Sequence, residues 1–451
     1  MRARLSAPRR GLRLALAGVF VATIALPAFT HPGYEHAVAD IDRPPLSSTR
    51  PGSKPAAVER QQRLSTEPKL APPRPKWKRH LDRLLRHKNI GVAASLGGKR
   101  LYYHRARMLR RPASNQKLLL SMALLERFGP RARIDTRARA RDLAGSVVKG
   151  NLWITGRGDP TVSGDPRHAR SLLVGATRLG RLARAVAAAG IDTIEGRVMA
   201  GRGYFKHDWN APGWRSYYRT YYVGLPTALT LNGNVFRGRF IRNPEKRLAL
   251  ALSQRLERAG VRVKGKPGAG PAPAGLRRVA KVASAPLSEL ITHMNVTSSN
   301  FFAEVLGKAL GAAVRGPQGS IAKGARVLNS YVRRLDVRVR SHDSSGLSHA
   351  NRISARGIVR LLQHAAKEPW AAALRYSLAS PGRGTLENRL HGVRLRAKTG
   401  TLIDVSALSG WIWLRRREAW AEFSILSSGL PKFRAVAIED EIVRRLARRA
   451  G

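Results

Sequence analysis

Apolar positions along the chain change period several times, and each change marks an element. Over residues 77–86, Leu81, Leu84 and Leu85 fall on one helical face. Residues 90–96 and 99–104 read as two strands joined by the tight turn Gly97-Gly98. A second helix starts near Pro112 and stops at Gly129-Pro130. Its Leu118, Leu119, Leu120, Met122, Leu124 and Leu125 leave almost no polar face, which predicts burial at the centre of a domain. Past Ala144 the texture shifts to a strand over 147–155, an Ala/Leu/Arg helix over 166–189 and a strand over 194–200. A Trp- and Tyr-rich loop follows at 209–222. Near the end, strands over 408–414 and 419–426 form a hairpin turned by Arg415-Arg416-Arg417-Glu418. A last amphipathic helix puts Ala435, Ile438, Ile442 and Leu446 on one face.

Composition narrows the function classes. The 451 residues include no Cys, which excludes a disulfide framework, a thiolate metal site and a Cys nucleophile. Lys and Arg number 83 against 28 acids, a formal net charge of +55. Such a field attracts polyanions. The basic residues are dispersed along the chain, and no zinc-finger, RNA-recognition or basic-zipper pattern accompanies them. A solvated basic surface is therefore preferred to a nucleic-acid site. Residues 1–13 carry five Arg and no acid, and 14–29 form an uncharged apolar run. That is the layout of a secretory signal, and the run is shorter than the ~20 residues of a membrane span. Residues 1–39 are read as a signal peptide ending near Ala37-Val38-Ala39, with an uncleaved membrane anchor as the competing reading. The expected location is outside the cytoplasm, in a periplasm or at the cell wall. The Pro-, Ser- and charge-rich stretch 40–74 reads as a linker.

Three short motifs carry chemistry. Ser114 and Lys117 stand three apart at a helix start, so they are neighbours on one face. A Ser hydroxyl needs a base to become a nucleophile, and a Lys amine serves once burial lowers its pKa. Ser298 and Asn300 form S-x-N, a hydroxyl and an amide able to point from a loop into one cleft. Lys398-Thr399-Gly400-Thr401 follows a strand-like stretch, where a cation can hold a carboxylate and Gly400 can admit a substrate backbone. The N–H groups of Thr401 and Ser114 can form an oxyanion hole. Taken singly, each motif reads as well as a helix cap or a solvated turn. Taken in this order, they are the signature set of penicillin-binding proteins and active-site serine β-lactamases.

The 184-residue separation of Ser114 from Ser298 calls for a large insertion. With that spacing, the chain resembles the D-alanyl-D-alanine carboxypeptidase/endopeptidases of peptidase family S13, the class C penicillin-binding protein 4 type. Matching segments include Gly158-Asp159-Pro160-Thr161, Ala211-Pro212-Gly213-Trp214, His293-Met294-Asn295, Asp343-Ser344-Ser345-Gly346-Leu347-Ser348 and Gly384-Thr385-Leu386. The resemblance implies an α/β (α+β) transpeptidase-like domain, an antiparallel sheet flanked by helices, over 75–139 and 284–451. An inserted α/β region would span 140–283. It implies acylation of Ser114 by the D-Ala-D-Ala end or D-amino-acid cross-link of peptidoglycan stem peptides, with Lys117 as base. Ser298 and Asn300 would assist, and Lys398 and Thr399 would hold the terminal carboxylate. β-Lactams would acylate the same Ser, and no metal or other cofactor is implied. Two positions depart from the family pattern: Gly201 stands where an Asp usually reads the third stem residue, and Asp404 replaces a small residue. A catalytically silent binder of peptidoglycan or anionic envelope polymers is the alternative function. A β-lactamase is disfavoured by the insertion and by the lack of a deacylation Glu motif.

Overall fold

The computed structural model describes residues 75–449; the expected signal peptide and linker lie outside the described residues. The strand Ile90–Leu96 is buried on both faces: Val92 and Ala94 enter one apolar cluster and Ala93 the other. Leu408 and Ile412 likewise oppose Ala407 and Trp411 along Val405–Leu414. Period-two side chains that are apolar on both sides require cover on both sides. The result is a five-stranded antiparallel sheet in the order Leu395–Leu402, Val405–Leu414, Ala419–Ser428, Ile90–Leu96, Lys99–His104. The first and last strands of the described residues therefore pair inside it, with Ile90 opposite Ser427 and Ala94 opposite Phe423.

One face is covered by the helices Lys76–Leu85 and Lys432–Arg449, through Leu81, Leu85, Ile442 and Leu446, all fully buried. The helix Ala355–Ala365 lies on the other face, and behind it sits Gln116–Phe128, ringed by Leu287–Val296, Asn300–Arg315 and Ile321–Arg334. Every residue from Gln116 to Leu125 is buried, as its all-round apolar character requires. Each such Leu contributes ~1.5–3 kcal/mol by leaving water. The central helix is thus a rigid post, and Lys117 is built into its first turn. The antiparallel sheet with helices on both faces is the architecture that the sequence resemblance implies.

A second, seven-stranded mixed sheet is built from strands between Asp135 and Ala283. Helices Leu179–Ala188 and Pro244–Glu257 cover it through Leu182, Val186, Leu248 and Leu252. Its first strand, Asp135–Ala140, lies across the 139/140 division expected from the sequence.

Two elements differ from the sequence expectation. The helix over 166–189 is two helices, Pro166–Ser171 and Leu179–Ala188. Gly175 weakens the connection, and Thr177 is drawn into extended pairing because its hydroxyl donates to the buried Asp159 Oδ2 at 2.6 Å. The strand over 147–155 is broken into Val147–Val148 and Leu152–Gly156. At the break, Asn151 Oδ1 accepts from the Arg197 N–H at 2.8 Å. Among the described residues, no helix is long and apolar enough to cross a membrane.

Candidate active site

Ser114 sits on a tight turn that two glycines make possible. The chain leaves Leu109–Arg110, passes Pro112, and enters the left-handed region at Ala113, φ +47°. A short 3₁₀ turn, Ala113–Asn115, then feeds the helix Gln116–Phe128. A Cβ on Gly346 would stand 1.9 Å from the Ala113 carbonyl oxygen, and one on Gly400 would stand 2.9 Å from that of Pro112. The missing Cβ of Gly400 therefore makes room for the protein's own backbone beneath the nucleophile turn. A non-glycine residue held left-handed, as Ala113 is, costs ~1–3 kcal/mol and persists only where its surroundings dictate it.

Lys117 is fully buried, and its Nζ reaches three acceptors: Ser114 Oγ at 3.0 Å, Asn300 Oδ1 at 2.9 Å and the Ser345 carbonyl at 2.6 Å. Burial pushes its pKa down to about 7, against the opposing fields of Asp343 and Glu304. A neutral amine has two N–H donors and one lone pair. Asn300 and Ser345 take the two N–H groups, which leaves the lone pair for the Ser114 hydroxyl proton.

Ser298 and Asn300 come from the joint between the helices Leu287–Val296 and Asn300–Arg315. Asn300 opens the second helix instead of lying in a loop, and the Ser299 hydroxyl caps that helix by accepting from Phe302 N–H at 3.3 Å. Ser298 is left-handed, φ +58°, just past the end of the first helix, where glycine is the usual residue. Its Oγ accepts from Lys398 Nζ at 2.9 Å, and Lys398 also donates to the Thr399 carbonyl at 2.8 Å. Lys398 is fully buried, and burial, then the charge of Lys117, holds its pKa well below that of an ordinary lysine. Thr399 and Gly400 are buried, whereas Thr401 is exposed on the edge strand Leu395–Leu402. An edge strand leaves alternate N–H groups without a ladder partner.

Sequence reasoning quoted Asp343 only within a matching segment and gave no role to either carboxylate beneath this cluster. Asp343 is fully buried: Oδ1 accepts from Gly346 N–H and Asn351 Nδ2, and Oδ2 accepts from Ser348 N–H and Trp214 Nε1, all within 3.0 Å. Glu304 lies one helical turn past Asn300, and its Oε1 accepts from the N–H groups of Ser344 at 3.1 Å and Ser345 at 2.7 Å. Together they set the loop that aims the Ser345 carbonyl at Lys117. Burial, then repulsion from Asp343, pushes Glu304 up to about 8. A lone acid inside the apolar run 301–306 was the signal for it.

The rim is basic. Arg111 pairs with Asp404 and donates to His349 Nδ1 at 3.1 Å. Arginine can only donate, so the His349 proton resides on Nε2 and is given to Tyr218 Oη at 3.0 Å. The aromatic loop packs on the site, with the Tyr222 carbonyl accepting from Asn300 Nδ2 at 3.2 Å. Gly201 is not part of this cluster; it lies in the strand Thr193–Arg202 against Ile154, Thr155 and Ala272. Among the described residues, no group of three His, Asp or Glu is placed to hold a metal ion.

Comparison with known proteins follows the same lines. The family model described as D-Ala-D-Ala carboxypeptidase 3 (S13) matches residues 78–243 and 237–449. A carboxypeptidase of Mycobacterium tuberculosis is 31% identical over 66% of this chain and 67% of its own length. The D-alanyl-D-alanine carboxypeptidase of Actinomadura sp. (strain R39) is 27% identical, covering 80% of this chain and 81% of its own. In fold, penicillin-binding protein 4 of Haemophilus influenzae superposes with a TM-score of 0.70 at 18% identity, covering 82% of this chain and 99% of that one. A family match that runs from the first helix to the last, over a chain that also shares the fold, leads to one conclusion: this protein belongs to the D-Ala-D-Ala carboxypeptidase 3 (S13) family and is a serine DD-peptidase of peptidoglycan metabolism.

Proposed function

We propose that this protein hydrolyses the D-Ala-D-Ala termini or D-amino-acid cross-links of peptidoglycan stem peptides through an acyl-enzyme on Ser114. One observation carries the reading: the fully buried amine of Lys117 lies 3.0 Å from Ser114 Oγ with a pKa lowered to about 7. In the neutral form it takes the Ser114 proton as Oγ bonds to the carbonyl carbon of the penultimate D-residue. The resulting oxyanion is received by the N–H groups of Ser114 and Thr401. Ser298, held by Lys398, passes its proton to the leaving amine and is reprotonated from the Lys117 ammonium. Water then attacks the ester by the same route in reverse and frees Ser114. A catalytically silent binder would have no use for a buried lysine amine with its pKa lowered to about 7 beside the Ser114 hydroxyl.

The test is mass spectrometry of the folded protein after brief exposure to benzylpenicillin, with Ser114→Ala as control. A mass gain of one penicilloyl group, absent from the control, is the expected result. An unmodified wild-type protein would overturn the reading and bring the silent binder forward.

We place the protein outside the cytoplasm, reached through residues 1–39 and bound in addition to anionic polymers of the envelope. The charge supports that association. A cavity of about 630 Å³ is lined by Arg107, Arg333, Arg338, Arg340, Arg356 and Arg360, with Asp336 as its one carboxylate. Retention on isolated wall sacculi should fall steeply between low and ~0.5 M salt, because exposed charges are screened beyond ~10 Å at 0.1 M. Retention indifferent to salt would sink the electrostatic part.

A further inference from the structure

Guanidinium groups that share a cavity repel one another unless a counter-ion joins them. At the end of the edge strand Leu395–Leu402 away from Thr401, a cavity of about 630 Å³ gathers five of them from three segments of the chain. Arg394 directly precedes the strand, Arg415 and Arg416 turn the hairpin, and Arg444 and Arg448 lie near the end of the helix Lys432–Arg449. Among the described residues no carboxylate lines this cavity, and none of the five guanidiniums has a hydrogen-bond or ion-pair partner. Arg444 and Arg448 stand one turn apart, a like-charge spacing that weakens a helix, with the C-terminal dipole offsetting part of the cost. Arg394 is held in place without using its N–H groups. Its guanidinium carbon stands 4.2 Å from the centroid of the Trp413 ring, which in turn meets Trp420 edge to face at 5.5 Å. The fork is thus preset against an aromatic wall with its donors free. At ~3.3 Å per residue Arg394 lies ~13 Å along the strand from Lys398, so the cavity is separate from the catalytic cluster.

We propose that this cavity binds a phosphate ester, with Arg394 and Arg444 as two of the forks that receive the phosphate. The inference rests neither on the DD-peptidase reading nor on the cavity at Arg107. A guanidinium offers a planar fork that matches two oxygens of a phosphate or a carboxylate. A carboxylate has two oxygens and one charge, and a single fork satisfies it. A phosphate monoester carries about −1.5 to −2 charge near pH 7 and three acceptor oxygens, so it can engage forks from separate segments at once. Every cation in the cavity is an arginine except His391, whose ring adds one more donor. The volume falls within the ~300–1,000 Å³ of small-ligand sites, which leaves room for an organic group beyond the phosphate. Val393, Ala447 and the Trp413 ring give that group an apolar wall. Two sources carry this chemistry, a soluble phosphate ester and the headgroup of an anionic lipid.

The experiment titrates the full chain with glycerol 3-phosphate and with acetate at one ionic strength, and sediments it with vesicles of phosphatidylglycerol or of phosphatidylcholine. Wild type is compared with Arg394→Gln/Arg444→Gln and with Arg167→Gln/Arg170→Gln, which removes the same charge from the exposed face of the helix Pro166–Ser171. Circular dichroism checks that each variant is folded. Wild type should bind a phosphate probe more tightly than acetate, and Arg394→Gln/Arg444→Gln should bind that probe about 10- to 100-fold more weakly, with the other variant matching wild type. Loss of glycerol 3-phosphate binding assigns a soluble ester, and loss confined to phosphatidylglycerol vesicles assigns a lipid headgroup. Equal weakening in both variants reduces the effect to net charge and overturns the proposal. It is overturned equally by a wild type that binds neither phosphate probe, or that binds acetate as tightly. A chain that takes no penicilloyl group can still pass this test, so the two readings fail separately.

Discussion

Replacing Lys117 by methionine will slow acylation by benzylpenicillin by about 10²- to 10⁴-fold, the range that a positioned general base contributes. Methionine fills a similar volume in the first turn of the central helix but carries no basic nitrogen. Ser114 then keeps its turn, set by Gly346 and Gly400, and loses the group that takes its proton. The variant leaves Asn300 Oδ1 and the Ser345 carbonyl without their donor, so circular dichroism should accompany the kinetics. The wild-type pH profile gives a second reading of the same amine. Only the neutral form can accept a proton, and its pKa is lowered to about 7 by burial. The rate should therefore rise as pH passes upward through about 7 and level off above it. That limb should be missing from the residual activity of Lys117→Met. Wild-type acylation by the methionine variant would remove Lys117 from the chemistry.

Asp343→Ala will produce the largest loss of stability, with about 3–5 kcal/mol expected in urea unfolding. The carboxylate is fully buried and serves four donors within 3.0 Å, from Gly346, Ser348, Asn351 and Trp214, besides the Ser345 hydroxyl at 3.4 Å. Alanine strands all four away from water, each at ~1–3 kcal/mol, with partial relaxation keeping the sum below simple addition. Asp343→Asn keeps one acceptor oxygen and should lose markedly less. Trp214 comes from the aromatic loop and Asn351 from beyond the Ser344-Ser345-Gly346 turn, so the alanine variant should also loosen the seat of Lys117. A loss below ~0.5 kcal/mol would show that this network does not support the fold.

The sequence makes the ordered triple legible because it depends on local spacing: Ser114 and Lys117 are one turn apart, Ser298 and Asn300 share one joint, and Lys398 leads a strand. The sheet flanked by helices was implied by the family resemblance and not by the period of the strands. The opaque features depend on distant partners. Nothing near Lys398 in sequence says that its amine meets Ser298, since that partner comes from a segment 100 residues away. The left-handed Ser298 breaks a local preference, and only the tertiary setting can impose that. The helix over 166–189 failed similarly, because a hydroxyl at Thr177 found a buried Asp159 that no periodicity reveals.

The meeting of Ile90 with Ser427 in mid-sheet also sets an order of events in time. The strands of the second sheet all lie within residues 135–283, so that half can close while the rest of the polypeptide is still emerging. The catalytic sheet cannot close until the strand Ala419–Ser428 exists, since that strand joins the first hairpin to Val405–Leu414, on whose far side lies the edge strand bearing Thr401. At ~5–20 residues per second of synthesis, this leaves an interval of ~7–30 s in which the nascent protein has no assembled catalytic sheet. The hydrolase is born inert, and it gains the power to cut wall peptides only when its last strand arrives.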